Sequence, residues 1–445
     1  MIQFREGFYA DIRTEDRSRT VISYKAGILE EIKTRVERQA FLRVFDGNLW
    51  YYASVTDVDH LQRTLDGLYD AARANPHILE HPVVRRFERN REDISRFGDC
   101  SVRDVSQKEK QELLLSYLPL LSEDSCVRMA EGRYLDRSSL FRFQSSLGAD
   151  IRFDYQTCGV AFSCNMAEGE KKFTGSWQKG GTRFDELQGL EDEIRSAVGE
   201  QTFFLRNSVP AETGKFPVVL SPEAAGVFAH ESFGHKSESD FMLSDESMKE
   251  EWQLGKAVAS PILSIADCGE VPGAGFVPYD DEGTRARRNY LIRNGVLAGR
   301  LHSAQTAAAL EEGLTGNARA MDCTFEPIVR MTTTYIEGGD LDFDELIAPI
   351  EKGYFIKTIR HGSGMSTFTL APSIAYEIVN GKIGRPVQIS VLTGNVFETL
   401  GLIDGLTKDV RLLSFVTGGC GKMEQWPLPV GFGGPYVRIS SMNVQ

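Results

Sequence analysis

The segment His230-Glu231-Ser232-Phe233-Gly234-His235 places two imidazoles and a carboxylate within six residues. In the HExxH signature of zinc peptidases the histidines are four residues apart, so both lie on one face of an α-helix, and the glutamate is the general base. Here the spacing is five, which on a regular helix separates the two side chains by roughly 140°. The spacing therefore predicts either an i→i+5 widening of the helix between the histidines or a helix end at Gly234.

The residues that precede this segment predict the helix that carries it. Residues 216–220 have the apolar and β-branched composition of a buried strand. Ser221 suits a helix N-cap, Pro222 suits the first helical position, and Glu223 complements the positive end of the helix dipole. We therefore expect a strand, a tight turn and then a helix that begins near Pro222 and leads into the histidines.

A catalytic zinc site needs a third protein ligand and an open fourth position. Glu250 or Glu251 could supply the ligand, although both lie in the charged stretch 244–253, whose composition is typical of a solvated helix face. Cys420 is the other candidate, because it lies in a glycine-rich loop with Lys422 close enough to stabilise a thiolate. Spacing alone favours the cysteine only slightly and leaves the acids open.

The C-terminal half resembles the TldD/PmbA family of metallopeptidases, a family also described as modulators of DNA gyrase. The N-terminal half resembles that family only in its pattern. The segments that carry the resemblance are AHESFGHKSESDF (229–241), DDEGT (280–284), LIRNGVLAG (291–299), TGNAR (315–319), RMTTTYIEGG (330–339) and GGCGK (418–422) followed by LPVGFGGP (428–435).

The resemblance implies a catalytic member of the family, because such members keep His-Glu-x-x-x-His while the sister subunit has lost it. It implies zinc held by His230, His235 and Cys420, with Glu231 as the base, and peptides or unfolded segments as substrates. It also implies a dimer, either a homodimer or a heterodimer with a non-catalytic PmbA-like sister chain. Separately, His361 in its own glycine-rich loop is a candidate for substrate binding.

Two other classes of function remain open. The first is a binding or maturation partner with a structural zinc, and the second is a metal hydrolase that acts on a non-peptide amide. A structural zinc more often has four Cys or His ligands in closed coordination, and Glu231 would then have no task. Only the family resemblance argues against the second class.

Charge and cysteine usage indicate the kind of partner, the cellular location and the redox state of the thiols. The 445-residue chain has a net charge of -13 and gathers no long basic face, which argues against direct binding of nucleic acid. No basic segment followed by an apolar core begins the chain, and no apolar run is long enough to span a bilayer, so we expect a cytoplasmic protein without membrane contact. Seven scattered cysteines indicate reduced thiols rather than a disulfide framework.

The pattern of the whole chain predicts an α+β fold with two domains, residues 1–205 and 206–445. The N-terminal domain is expected to contain strand meanders with packed helices, and Asp46-Gly47 is a strong hairpin signal. The first meander is predicted as five strands, at 8–12, 20–24, 28–36, 40–45 and 49–53, and is followed by a helix that ends before Asn75.

A second section repeats this plan, with a helix over 108–118, strands over 127–173 and a helix marked by Leu187 and Ile194. This could be a diverged internal repeat of meander and helix. Residues 206–214 are expected to link to the C-terminal domain, predicted as mostly antiparallel β with a motif-bearing helix and an alanine-rich helix near 305–312.

Three acidic features of the C-terminal half are ambiguous in sequence. The segment 280–284 could bind a hard cation, but its spacing does not match an EF-hand loop, and we predict a turn. Glu238 and Asp240 could orient His235. A solvated loop is an almost equal alternative for these two residues.

Overall fold

The computed structural model of the chain describes residues 2–445. It has the predicted α+β fold, with a seven-stranded sheet in the N-terminal part and sheets of six and eight strands in the C-terminal part. Within the described residues, no helix combines the length and the apolar character that crossing a membrane requires.

From residue 2 onward, the N-terminal part contains seven strands, three α-helices and four short 3-10 turns. In chain order the regular elements are β1 (Tyr9–Lys25), β2 (Ile28–Phe45), β3 (Trp50–Val55), α1 (Leu61–Ala71), β4 (Arg91–Ile94), α2 (Gln107–Tyr117), β5 (Val127–Ser145), β6 (Asp150–Glu168), β7 (Lys171–Gly181) and α3 (Glu191–Asn207). The 3-10 turns are Ile78–Glu80, Val84–Arg86, Leu118–Ser122 and Phe184–Leu187.

The first meander has three strands, two of them long, so the prediction of five short strands is wrong. Strands β1 and β2 pair antiparallel along their full lengths, and a turn at Ala26-Gly27 joins them. Residues 13–19, between the predicted strands at 8–12 and 20–24, belong to the continuous strand β1, in which Arg13 and Glu15 are buried. The hairpin at Asp46-Gly47 is confirmed, because Asp46 Oδ1 accepts hydrogen bonds from two following amides at 2.8 Å.

The sheet has the order β3-β2-β1-β5-β6-β4, with β7 also paired to β6. Helix α1 packs Leu65 and Tyr69 onto the sheet near β1 and β2. Helices α2 and α3 cover a second core built from β5, β6 and β7. Two units of three antiparallel strands and a following helix therefore meet at the β1–β5 pairing. Their origin as an internal repeat stays a prediction.

The C-terminal part contains eighteen strands and six short α-helices. Its first half comprises β8 (Val209–Pro210), β9 (Gly214–Leu220), α4 (Pro222–Ala229), α5 (Asp240–Ser244), α6 (Glu246–Glu251), β10 (Ile265–Cys268), β11 (Arg288–Arg293), β12 (Val296–Leu297), α7 (Ala304–Ala309), β13 (Ala318–Arg319), β14 (Ile328–Val329) and β15 (Thr333–Ile336). Its second half comprises α8 (Phe343–Ile347), β16 (Lys352–Gly364), β17 (Thr367–Val379), β18 (Lys382–Gln388), β19 (Leu392–Asn395), α9 (Val396–Gly401), β20 (Ile403–Leu406), β21 (Arg411–Ser414), β22 (Cys420–Lys422), β23 (Gln425–Leu428), β24 (Gly431–Gly434) and β25 (Val437–Val444).

Five of these strands form a closed circuit. Strands β16, β9, β25, β19 and β17 each pair with the next, and β17 pairs back with β16. Helix α4 packs between this circuit, at β16, and the six-stranded sheet, at β24. Every residue of α4 except Glu223 is buried. The residues that follow α4 are thus held on both sides by sheet.

Ion pairs with largely buried arginines join the two parts of the chain. Three arginines from β1 and β2 pair with acids from the C-terminal part, in the pairs Arg13–Asp281, Arg17–Asp322 and Arg43–Glu282. The division into domains at 205 and 206 stays a prediction.

The acidic segment 280–284 forms the predicted turn. Asp280 accepts hydrogen bonds from the amides of Glu282, Thr284 and Ala318. Burial, followed by the nearby Glu282 charge, raises the pKa of Asp280 well above its ordinary value, although those amides oppose the rise. The acids of this turn thus close the turn and tie it to neighbouring chain.

Candidate metal centre

The helix that leads to the histidines widens where the spacing predicts. Ser221 caps α4 by accepting a hydrogen bond from the Ala224 amide at 3.2 Å, with Pro222 in the first turn. After Ala229 the chain enters a π-helical turn, His230–Gly234, in which the His235 amide donates to the His230 carbonyl. This i→i+5 bond adds one residue to the turn and brings the two imidazoles to the same side.

Three side chains converge at this turn. The ring centroids of His230 and His235 are 5.1 Å apart, and the rings are nearly perpendicular. Cys420 Sγ lies 3.5 Å from His235 Nε2, although the two residues are separated by 185 positions in sequence. One ligand atom from each of the three residues lies within 4.8 Å of the others. The fold therefore collects two imidazoles and a thiol at one point.

The hairpin that carries Cys420 is fixed by a buried arginine. Arg330 is fully buried, and its guanidinium donates to the carbonyl of Cys420 at 2.8 Å and to that of Gln425 at 3.3 Å. A side chain at Gly419 would place its Cβ 2.5 Å from the Leu428 carbonyl oxygen, so the backbone approaches closely there. Sequence reasoning missed Arg330, whose signal is a charged residue at the start of the strand-like run 330–336.

A buried carboxylate contacts the His235 ring on the side away from Cys420. Glu238 is fully buried, and its Oε2 lies 3.2 Å from His235 Nδ1. Lys422 Nζ lies 3.1 Å from that same oxygen and 2.6 Å from Asp240 Oδ1, and it also donates to the Val329 carbonyl. Glu238 therefore orients His235, while Asp240 binds Lys422. The predicted support of the thiolate by Lys422 is wrong, because its long side chain reaches these acids instead.

The charges at the centre favour a thiolate. Burial raises the pKa of the Cys420 thiol, but the His230 and His235 side chains outweigh burial and hold this pKa well below its usual value. Burial lowers the pKa of His235, but the Glu238 carboxylate and the Cys420 side chain together outweigh burial and raise that pKa well above its ordinary value. Because a metal ligand must be deprotonated, a cation that binds here would take the place of the imidazole proton.

One unpaired atom tests whether a metal fits. His230 Nδ1 is buried and has no hydrogen-bond partner within the described part of the chain. A buried polar atom without a partner costs about 1–3 kcal/mol. Two imidazoles and a thiolate are a donor set that zinc prefers, and three protein ligands leave a fourth position for water or substrate. The residues present therefore fit a catalytic metal ion.

Glu231 lies against the end of strand β16. A Cβ added at Gly362 would be 3.1 Å from Glu231 Cγ, and one added at Gly364 would be 3.1 Å from the Glu231 carbonyl oxygen. The two glycines thus let the strand pass close to this half-buried glutamate. His361 is exposed and adjacent to Gly362, so strand alternation directs its side chain to the opposite face.

The alternative acid ligands lie elsewhere. Glu250 and Glu251 belong to α6, and the Glu251 carboxylate pairs with Lys236 at 2.7 Å. Lys236 is buried and also donates to Ser366 at 3.0 Å, so this acid helps to position the turn after β16. Of the candidate third ligands that the sequence left open, the cysteine is the one that lies beside the histidines.

The fold and this geometry agree with the similarity of the chain to known proteins. Residues 213–445 match the family profile described as the PmbA/TldA metallopeptidase C-terminal domain, and residues 10–75 match its domain 1. A metalloprotease of Methanothermobacter thermautotrophicus is 33% identical over 98% of this chain and 95% of that protein. A zinc metalloprotease TldD homolog of Saccharolobus solfataricus is 33% identical over 98% of this chain and 96% of that protein.

Solved structures share the fold at low identity. TldE from Thermococcus kodakarensis superposes with a TM-score of 0.77 at 16% identity, covering 98% of this chain and 96% of that chain. A candidate modulator of a DNA gyrase from Thermotoga maritima gives 0.77 at 18% identity, covering 99% and 96%. The matches in sequence define the chain as a metallopeptidase. It belongs to the TldD/PmbA family, as its motifs predict.

Proposed function

We propose that this chain is a zinc-dependent peptidase that hydrolyses peptides or unfolded segments. In this proposal His230, His235 and Cys420 hold the zinc ion, and Glu231 is the general base. The observation that carries the proposal is the convergence of the three ligand atoms within 4.8 Å, with a glutamate directly after the first histidine. The name of the Saccharolobus solfataricus relative, a zinc metalloprotease, supports the choice of metal.

The proposed mechanism is metal-assisted amide hydrolysis. Zinc, when bound, would polarise the scissile carbonyl and lower the pKa of the attacking water. Glu231 accepts the proton of that water and later delivers it to the leaving amine. Among residues 2–445, no ion pair engages the Glu231 carboxylate. Glu238 binds Nδ1 of His235 and so directs Nε2 toward the side on which Cys420 lies.

Strand β16 offers a place for an extended substrate. Strand β9 pairs with β16 only over Tyr354–Ile356, whereas β17 pairs with it as far as Gly364. The stretch 360–364 thus has a partner strand on one side only, and it passes beside Glu231. A peptide that adds to this edge would be bound through its backbone with little side-chain preference. Substrate binding by His361 stays a prediction, and its geometry assigns it to the other face of the strand.

The partner in this proposal is a second copy of the chain or a non-catalytic PmbA-like sister chain. The shared fold with TldE is compatible with either. The acidic net charge and the absence of a long basic face in the sequence favour a protein partner over nucleic acid.

Zinc content and peptide cleavage, measured together, test the proposal. The wild-type protein is expected to bind about one zinc per chain and to cleave a mixed peptide library. Cys420→Ser is expected to lose both, while the matched control Cys100→Ser, a half-buried cysteine in the N-terminal part, keeps both. Bound zinc without cleavage would favour a structural metal, and unchanged zinc content in Cys420→Ser would refute the ligand set.

A further inference from the structure

Three neighbouring strands of the N-terminal sheet carry arginines directly opposite one another. The register pairs Arg19 of β1 with Arg35 of β2 on one side and with Arg137 of β5 on the other. Directly opposed side chains point to the same face of a sheet, so the three guanidinium groups form a row. Arg19 and Arg35 are exposed. Like charges in this position destabilise strand pairs, so the row costs stability unless an anion lies against it.

The carboxylates near this row leave Arg19 uncompensated. Glu15 pairs with both Arg17 and Arg137. Among residues 2–445, no carboxylate forms an ion pair with Arg19. Desolvation, followed by the charges of Arg137 and Arg17, lowers the pKa of Arg19, although Glu37 opposes the fall. A guanidinium stays charged in proteins, so Arg19 presents a positive charge that like charges surround.

Arg19 lines a groove between the N-terminal sheet and the loop that precedes Cys420. The groove has a volume of about 160 Å³, and residues 418–419 of that loop line it too. In the same loop the Val416 amide donates to the Gln178 side chain of β7 at 3.0 Å, which fixes the loop against the sheet. A volume of this size suits one part of a ligand rather than a whole ligand. The groove therefore joins the arginine row to the chain that leads into the candidate metal centre.

We propose that this groove binds a carboxylate of the peptide substrate, with Arg19 as the main contact. The inference rests on the proposed peptidase function, and it names a substrate class, peptides with an acidic side chain or a free C-terminal carboxylate. A guanidinium presents planar donors that match the geometry of a carboxylate. The whole chain has a net charge of -13, so an acidic peptide would need a local positive site of this kind.

Matched peptides test the preference and identify the carboxylate. The set contains a glutamate-bearing peptide and its glutamine counterpart, each with a free or an amidated C-terminus. The wild type is expected to favour a peptide with a carboxylate over the neutral amidated peptide, through a lower KM. Loss of this preference on replacing the glutamates would assign the groove to acidic side chains, and its loss on amidation would assign the groove to the C-terminus.

Arg19→Gln should reduce the preference about tenfold, because it removes a hydrogen bond between charged groups. Arg19→Lys should keep part of it, since the charge remains. The matched control is Arg152→Gln, which removes an exposed arginine of β6 on the opposite face of the same sheet and should keep the preference. The unfolding temperature of Arg19→Gln should equal or exceed that of the wild type, because the substitution relieves opposed like charges.

Peptide binding to Glu231→Gln separates this inference from the proposed activity. Fluorescence anisotropy of the labelled acidic peptide is measured with this variant alone and with Arg19→Gln added. The added substitution should weaken binding about tenfold. A wild type that cleaves no peptide would contradict the proposed function, whereas the binding measurement would still decide whether the groove holds a carboxylate.

Three results would overturn the inference. The first is an equal effect of Arg19→Gln on acidic and neutral peptides. The second is the same loss of preference in Arg152→Gln as in Arg19→Gln. The third is displacement of the acidic peptide by a single-stranded oligonucleotide of equal charge at the same concentration as by unlabelled peptide, which would mean that the row attracts any polyanion.

Discussion

A single buried carboxylate orients the imidazole ring of the second histidine. Glu238 is fully buried, and it contacts the His235 ring on the side away from Cys420. Partners of this kind fix the tautomer and the orientation of a metal-binding imidazole. Lys422, two residues beyond Cys420, contacts the same carboxylate and so links the cysteine hairpin to the histidine turn. The geometry of the centre thus depends on a residue that is not itself a candidate ligand.

Replacing Glu238 with Gln should weaken metal binding without unfolding the protein. The substitution keeps the volume but removes the charge that orients His235, and we expect the affinity for zinc to fall about 10- to 100-fold. Competition with a chelator at constant pH measures this affinity. Glu250→Gln, an exposed residue of α6, is the matched control and should leave the affinity unchanged. An unaltered affinity in Glu238→Gln would show that His235 needs no such partner.

At the level of elements, the turn that bears the histidines could be predicted because its cause is local. A regular α-helix cannot direct two side chains five residues apart to one point. The π-helical turn His230–Gly234 brings them to the same side. The position of Cys420 could not be derived in this way. Cys420 is 185 residues from His235 in sequence, and the pairing of β22 with β23 and the hydrogen bond from Arg330 place it beside that histidine. The resemblance to a known family predicted this contact instead.

The long strands β1 and β2 show another limit of sequence patterns. Residues 13–19, which lie between the predicted strands at 8–12 and 20–24, are mostly charged, and a run of charged residues is usually exposed. Here the charges neutralise one another inside the protein, since Glu15 pairs with both Arg17 and Arg137. Partners that lie far apart in sequence decide whether a charged residue is buried, so the periodicity of one segment cannot reveal it.

At the scale of the whole molecule, ionic contacts fasten the N-terminal sheet to the metal-bearing part. Arg17 contacts both Glu15 and Asp322, and Arg13 contacts Asp281. Breaking a buried ion pair by removing one partner leaves an uncompensated charge and commonly costs about 3–5 kcal/mol. Removing one partner of these pairs should therefore weaken the attachment of the N-terminal sheet to the metal-bearing part.

Glu15→Gln should destabilise the protein at neutral pH and matter less in acid. Burial raises the pKa of Glu15, but Arg137 and Arg17 outweigh burial and hold this pKa well below its usual range. Because the folded-state pKa is depressed, the carboxylate contributes stability above the ordinary value of about 4.3, and this contribution is lost as the pH falls toward the folded-state pKa.

Thermal unfolding at a series of pH values measures this effect. The midpoint of Glu15→Gln should lie well below that of the wild type at pH 7, and the gap should narrow progressively as the pH falls below about 4. Glu170→Gln, at an exposed turn between β6 and β7, should match the wild type throughout. A gap that stays constant in acid would mean that Glu15 acts through packing rather than through charge.

The central claim, that the centre is catalytic and Glu231 is its base, is tested most directly by Glu231→Gln. This variant keeps nearly the same volume and removes the proton acceptor, so zinc content and thermal stability should equal those of the wild type. Cleavage of a mixed peptide library should fall about 10²- to 10⁴-fold. If Glu231→Gln binds zinc and cleaves peptides at the wild-type rate, Glu231 is not the base and the proposed mechanism is wrong.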